Sequence, residues 1–211
     1  MPKLSVSQQT QRRSHILDAA ERCFAAAGFH RTTMQDICKA AGVSAGALYT
    51  YFDAKEAMIA GIAERDRTEV IEKFAVLHES AGFIEGMQAV MISCILEQPA
   101  HKSQLYLAIA AEAVHNKAVA RALAECDAAI RASLTGILSR ASAEGRIAPA
   151  IPVERIAAIM SLIADGMFWR RAVDPGCDLA IIAADLLSVI SQLVGGPAAN
   201  AARPQNAEAA Q

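Results

Sequence analysis

The stretch 32-TTMQDICKAAGVSAGALYTYFDAKE-56 decides the fold. Within it Met34, Ile37, Cys38 and Ala41 recur at the spacing of one face of an α-helix. Thr32 or Thr33 stands before that run, and Gln35 or Asp36 stands three residues further on, a pattern in which two side chains satisfy each other's free backbone N–H groups. Gly42 ends the run where a left-handed cap is expected. Ser44 then starts a second helix, and Val43 before it is placed to staple onto Leu48. Leu48 and Phe52 share one face, which turns Ala45, Gly46, Tyr49 and Thr50 outward. Two short capped helices joined by a glycine-containing turn form a helix-turn-helix, whose second helix fits the major groove of DNA.

Upstream, Ile16, Ala20, Cys23, Phe24 and Ala27 place a helix from about Gln9 to a glycine stop at Gly28, behind a flexible lead at 1–8. Downstream, Asp53 is the expected cap of a helix running through Met58, Ile59 and Ile62 to about Leu77. Further helices are predicted at about 81–97, 102–115, 117–144, 153–173 and 177–194, punctuated by Pro99, 144-EGRIAPAIP-152 and 173-VDPGC-177. Residues 197–211 carry few bulky apolar groups and read as a disordered tail. The chain is therefore expected to be all-α, with a helix-turn-helix domain at 9–54 and a larger helical domain at 55–196.

Composition agrees. At 211 residues and 54% apolar, the chain is long enough to bury a substantial core, and its 5% aromatic content with abundant alanine favours helices over strands. The formal net charge is only −2, yet residues 1–60 hold seven Lys/Arg against five Asp/Glu, so any basic surface is local and N-terminal. Asp165, Arg170 and Arg171 interrupt the apolar stretch 153-VERIAAIMSLIADGMFWRRAV-173, which argues against a membrane span, and the start lacks an apolar signal core; the expected location is the cytoplasm. Cys23, Cys38, Cys94, Cys126 and Cys177 are widely spaced and odd in number, so they are read as small core residues, not as disulfides or a metal site.

The pattern 16-ILDAAERCFAAAGF-29, the run 32-TTMQDICKAAGVSAGALYTYF-52 and the pair Lys55 and Glu56 together resemble the TetR family of transcriptional regulators. The resemblance implies a three-helix DNA-binding domain, an all-helical domain that binds a small inducer, a homodimer, and a double-stranded DNA operator as partner. Residue by residue it implies that Thr33 caps a helix near phosphate and that Gln35 reaches a base or phosphate. Ser44 is the capping residue of the recognition helix, Ala45, Gly46, Ala47 and Tyr49 form its front with Thr50 alongside, and Tyr51 and Lys55 are implied phosphate contacts. Ala45 departs from the longer polar or basic residue of many relatives, which shifts base reading toward Gln35, Tyr49, Thr50 or apolar contact with thymine methyls.

The C-terminal helices are apolar on more than one face. Ile156, Ile159, Met160, Ile163 and Met167, with Leu179, Ile182, Leu186, Val189 and Leu193, are the expected dimer interface, in a four-helix arrangement. Met87, Met91, Cys94, Tyr106, Phe168 and Trp169 are candidate pocket-lining residues, and Glu112 and Asp165 are carboxylates set in apolar helices where a ligand contact would account for them. No nucleophile elbow, metal-spaced His/Glu pair or phosphate-cradling loop is present, so no catalytic residue, metal or cofactor is expected. The alternative class is an all-helical enzyme or small-molecule-binding protein that leaves no footprint on DNA.

Overall fold

The computed structural model describes residues 5–80 and 82–195; the expected C-terminal tail and the first four residues of the expected lead lie outside them. The described residues form ten α-helices: α1 (Val6–Ala27), α2 (Met34–Ala41), α3 (Ala45–Tyr49), α4 (Lys55–Lys73), α5 (Val76–Glu79), α6 (Phe83–Met91), α7 (Ala100–Ala113), α8 (Lys117–Ala143), α9 (Val153–Val173) and α10 (Leu179–Val194). A π-helical turn, Ile92–Leu96, follows α6 directly. The all-α expectation is met.

The first helix begins earlier than expected. Ser5 accepts from Gln8 N and Gln8 Oε1 accepts from Ser5 N, a reciprocal cap that starts α1 at Val6 and removes residues 5–8 from the flexible lead. At its other end Gly28 takes φ +78° and donates to Phe24 O. The cap expected from Asp53 does not form at the helix boundary, because α4 starts at Lys55 and Ala54 precedes it. The helix expected to continue to Leu77 stops at Lys73, and α5 follows as a separate short turn.

The chain clusters into two compact units. One takes in the described residues of 1–69, 98–128 and 168–175; the other takes in those of 70–97, 129–167 and 176–211. Residues 55–69 therefore pack with the helix-turn-helix, beyond the expected boundary after residue 54. In the first unit a single apolar cluster joins Ile16, Leu17 and Phe24 of α1, Ile37 of α2, Leu48 of α3 and Met58, Ile59 and Ile62 of α4 to Leu105 and Ile109 of α7 and Val119 of α8. At Gly61 a Cβ would come within 3.1 to 3.3 Å of Arg13, Leu17 and Phe52, so the close approach of α4 to α1 favours glycine there.

In the second unit Leu179, Ala183, Leu187, Ile190 and Val194 form the inward face of α10. Its end is tied by backbone bonds from Ala148 N to Gly195 O and from Ala150 N to Leu193 O, each 2.9 Å. A Cβ at Gly195 would stand 2.3 Å from Ala148 O, and φ there is +61°, so this junction requires glycine. Arg146 donates to Leu77 O at 3.0 Å and Ser80 O at 3.1 Å, closing the carbonyl end of α5. Of the five cysteines only Cys38 is buried; the other four are half-buried and all are free thiols. No described helix is long and apolar enough to cross a membrane.

Candidate nucleic-acid interface

The geometry of α2 and α3 is set locally. Thr33 caps α2, accepting from Asp36 N at 3.1 Å, while Thr33 N and Thr33 Oγ1 donate to Asp36 Oδ2 at 3.0 and 2.6 Å. Those bonds, the side-chain one first, hold the Asp36 carboxyl below its ordinary value. Thr32, the other capping candidate, is instead buried, with its hydroxyl directed to the carbonyls of Cys23 and Gly28. Gly42 adopts the left-handed cap at φ +61° and ψ +32°. Ser44 Oγ then accepts from Ala47 N at 3.2 Å and starts α3. The α2 end of the turn is thereby held by the Gly42 backbone N–H and the α3 end by the Ser44 side chain.

Leu48 and Phe52 are buried, and Val43 packs against the same cluster. Thr33, Gln35, Ser44, Ala45, Gly46, Tyr49 and Thr50 are exposed, Tyr49 by 54%, and Ala47 is half-buried. A shallow open hollow runs between α2 and α3, lined by Met34, Gln35, Cys38, Lys39, Gly42, Val43, Ala45 and Tyr49. Lys39 is an exposed cation that sequence reading passed over. Its place four residues after Gln35, on the same helical face, is the signal that points to it.

One of the implied phosphate contacts is corrected. The Lys55 ammonium turns inward, donating to the carbonyls of Phe29 and Thr32, 2.8 Å from the latter, and lying 4.2 Å from the centre of the Phe29 ring. It clamps the loop between α1 and α2. Tyr51 is half-buried and packs against the core cluster.

An ionic network centred on one buried carboxylate joins α1, α4 and α7. Glu21 of α1 is 3% exposed and pairs with Arg65 of α4 and with Lys102 of α7, whose Nζ lies 2.8 Å from Glu21 Oε1 and 2.8 Å from Asp66 Oδ1. Arg65 also reaches Asp18 at 2.7 Å. Burial alone lowers the Lys102 pKa, but Asp66 and Glu21 more than reverse that and raise it; burial is also the main cause that raises the carboxyl of Asp66.

The residues expected to line a ligand cavity divide between the two units. Met87, Met91, Cys94 and Asp165 belong to one, and Tyr106, Glu112, Phe168 and Trp169 to the other. Glu112 is buried, its Oε1 accepts from Asn116 Nδ2 at 3.0 Å, and its Oε2 lies 2.9 Å from His30 Nε2 without hydrogen-bond geometry. Asn116 also donates to Glu56 at 3.1 Å, so the Asn116 amide links Glu112 to the start of α4, while Glu112 itself meets His30 in the loop after α1. Tyr106 and Phe168 stack at 5.3 Å, while Trp169 is 47% exposed with Arg170 over its ring and Asp165 is exposed.

Of the expected interface residues, Ile156, Met167 and Leu179 are buried inside the protomer and cannot meet a partner. Ile159, Met160, Ile163, Leu186 and Leu193 are half-buried, and Ile182 and Val189 are exposed. Leu162 at 70% and Ile181 at 63% exposed are large apolar residues not among those expected.

Comparison with known proteins bears on all of this. Residues 16–62 match the bacterial regulatory proteins of the tetR family, and residues 87–206 match the C-terminal region of BetI-type transcriptional repressors. The chain is 29% identical over 174 residues to the HTH-type transcriptional repressor Rv1474c of Mycobacterium tuberculosis, covering 82% of this chain and 88% of that one. It resembles the solved structure of Salmonella enterica GusR at 29% identity and a TM-score of 0.77, over 92% of this chain and 99% of that one. It shares its fold with the transcriptional regulator FadR of Bacillus subtilis, solved in complex with stearoyl-CoA, at 23% identity and a TM-score of 0.71, over 84% of this chain and 96% of that one. With its capped helix-turn-helix and its all-helical remainder matched in turn, the chain belongs to the TetR family of transcriptional regulators, which are DNA-binding proteins and not enzymes.

Proposed function

We propose that the protein is a repressor that binds a near-palindromic operator as a homodimer and releases it when a small apolar or amphipathic molecule binds. The observation that carries this reading is the outward Tyr49 on a rigidly capped α3, beside Gln35 and Lys39 on α2. An α-helix held in this way fits the major groove, and α2 lies across the backbone with cationic and amide groups toward phosphate. Thr33, Ser44, Ala45, Gly46, Ala47 and Thr50 complete the contact surface.

The homodimer is supported by the exposed apolar residues Leu162 on α9 and Ile181, Ile182 and Val189 on α10. Bulky apolar groups at 39% to 70% exposure on two long helices, all four residues in the same unit, suit a helix-on-helix interface between copies. Two recognition helices would then meet successive major grooves about 34–36 Å apart, or a multiple of that. On the ligand side, Met87 and Met91 of α6 and Cys94 of the π-helical turn offer adaptable apolar side chains, and π-helical turns recur at functional sites. The ligand acts by favouring a population whose recognition helices are wrongly spaced.

Selection from a randomised duplex library with the full chain tests the reading. Enrichment of a two-fold symmetric site, bound by a species of dimer mass in light scattering, is the expected result. Leu162→Glu with Val189→Lys should give a folded monomer with at least tenfold weaker binding, about 1.4 kcal/mol. A wild-type monomer that still binds its site at full affinity would refute the dimer.

A further inference from the structure

The recognition surface has few groups left to read a base edge by hydrogen bonding. On α3, Ser44 Oγ is engaged with Ala47 N, the Thr50 hydroxyl donates to Gly46 O at 2.9 Å, and Ala45, Gly46 and Ala47 have no polar side chain. Each of these two hydroxyls keeps one function, the Ser44 proton to donate and the Thr50 oxygen to accept, and only the Tyr49 hydroxyl is wholly uncommitted. Beside it the hollow between α2 and α3 is apolar along Met34, Cys38, Val43 and Ala45, with Gln35 and Lys39 as its polar edge.

Gly46 supplies a second observation. Its φ is not positive, and a Cβ added there would meet nothing within 4 Å, so neither backbone conformation nor internal packing asks for glycine. Glycine inside a helix is less favourable than alanine, and a bare backbone suits close approach by a surface from outside the protein. Lys39 at the edge of the hollow matches a phosphate-lined partner.

We propose that this hollow takes the C5 methyl group of a thymine, so that one base pair of each half-site is read by apolar contact with Ala45 and the Tyr49 ring. Among the four bases only thymine presents a methyl group in the major groove, so such contact distinguishes it from cytosine and from both purines. The proposal rests on the DNA-binding reading above. It deepens that reading by assigning specificity at one position to shape and apolarity, with Gln35 and Tyr49 Oη left to hydrogen-bond neighbouring bases.

The test uses the wild-type full chain and a duplex enriched from a randomised library. Each thymine of the duplex is replaced singly by deoxyuridine, which removes the methyl and preserves pairing. One thymine per half-site should lose about fourfold in affinity, the effect of burying one methyl group. Ala45→Gly, which removes the wall of the hollow, should bring that ratio toward one, while an unrelated duplex is bound as before. Specific binding with deoxyuridine tolerated at every position would overturn the proposal and leave the DNA-binding reading standing. Failure to enrich any duplex at low salt would overturn both.

Discussion

Lys102 Nζ lies 2.8 Å from Glu21 Oε1, joining α7 to α1 through a carboxylate that is only 3% exposed. Weakening the pairing of a buried charge is costly, so Lys102→Met, which leaves Glu21 with Arg65 alone on its ionic side and takes the lysine from Asp66, should destabilise the fold by about 1–3 kcal/mol in chemical denaturation. Glu21→Gln should cost less, because Lys102 keeps Asp66 and Arg65 keeps Asp18. Equal stability of Lys102→Met and wild type would mean that the network is not a structural support.

Gly46→Ala should change stability and binding in opposite directions. Alanine in place of an unconstrained helical glycine should raise stability by about 0.5–1 kcal/mol, and its methyl should weaken operator binding by standing where the duplex approaches. Melting curves and gel shifts on one preparation check both signs. A gain in stability with unchanged binding would show that nothing closes on that surface.

Lys39 and Lys55 should behave differently despite equal charge. Lys39 is exposed on the recognition side, so Lys39→Ala should flatten the dependence of log affinity on log salt by about one unit. Lys55→Met removes a donor from two part-buried carbonyls and should cost about 1–3 kcal/mol of stability with the salt slope preserved. A flattened slope for Lys55→Met would return that residue to the phosphate contacts.

The cap of α2 has a defined pH dependence. The bonds from Thr33 lower the Asp36 carboxyl in the folded protein, so the stability they contribute is complete above the ordinary value of 3.8 and is lost as pH falls from there through the lowered value. The difference in melting temperature between wild type and Thr33→Val should therefore be constant near neutrality and narrow in acid. A difference independent of pH would show that Asp36 is not held by Thr33.

What the sequence made legible was local. Thr33, Gly42 and Ser44 act on backbone groups within four residues, and the helix-turn-helix follows from them without knowledge of the remaining chain. Lys55 was opaque because its partners are carbonyls 26 and 23 residues away, and a lysine following a recognition helix has the same spelling whether it faces phosphate or protein. Glu112 was opaque for the same reason, since His30 lies in the loop after α1. On α10, apolar residues surround most of the helix, so periodicity did not say which stripe is inward: Leu179 is covered, while Ile182 and Val189 of the expected outer stripe remain open.

The core beneath α1, α2 and α3 is completed by Leu105, Ile109 and Val119, and the charge of Glu21 is answered by Arg65 and Lys102. The reading head is thus not a portable cassette. A fragment cut after residue 60 would keep every side chain proposed to face a base yet expose a bare carboxylate and an unroofed apolar floor. Grafting this specificity onto another regulator calls for transplanting the surface residues of α2 and α3 onto a host that already has its own seventh helix in place.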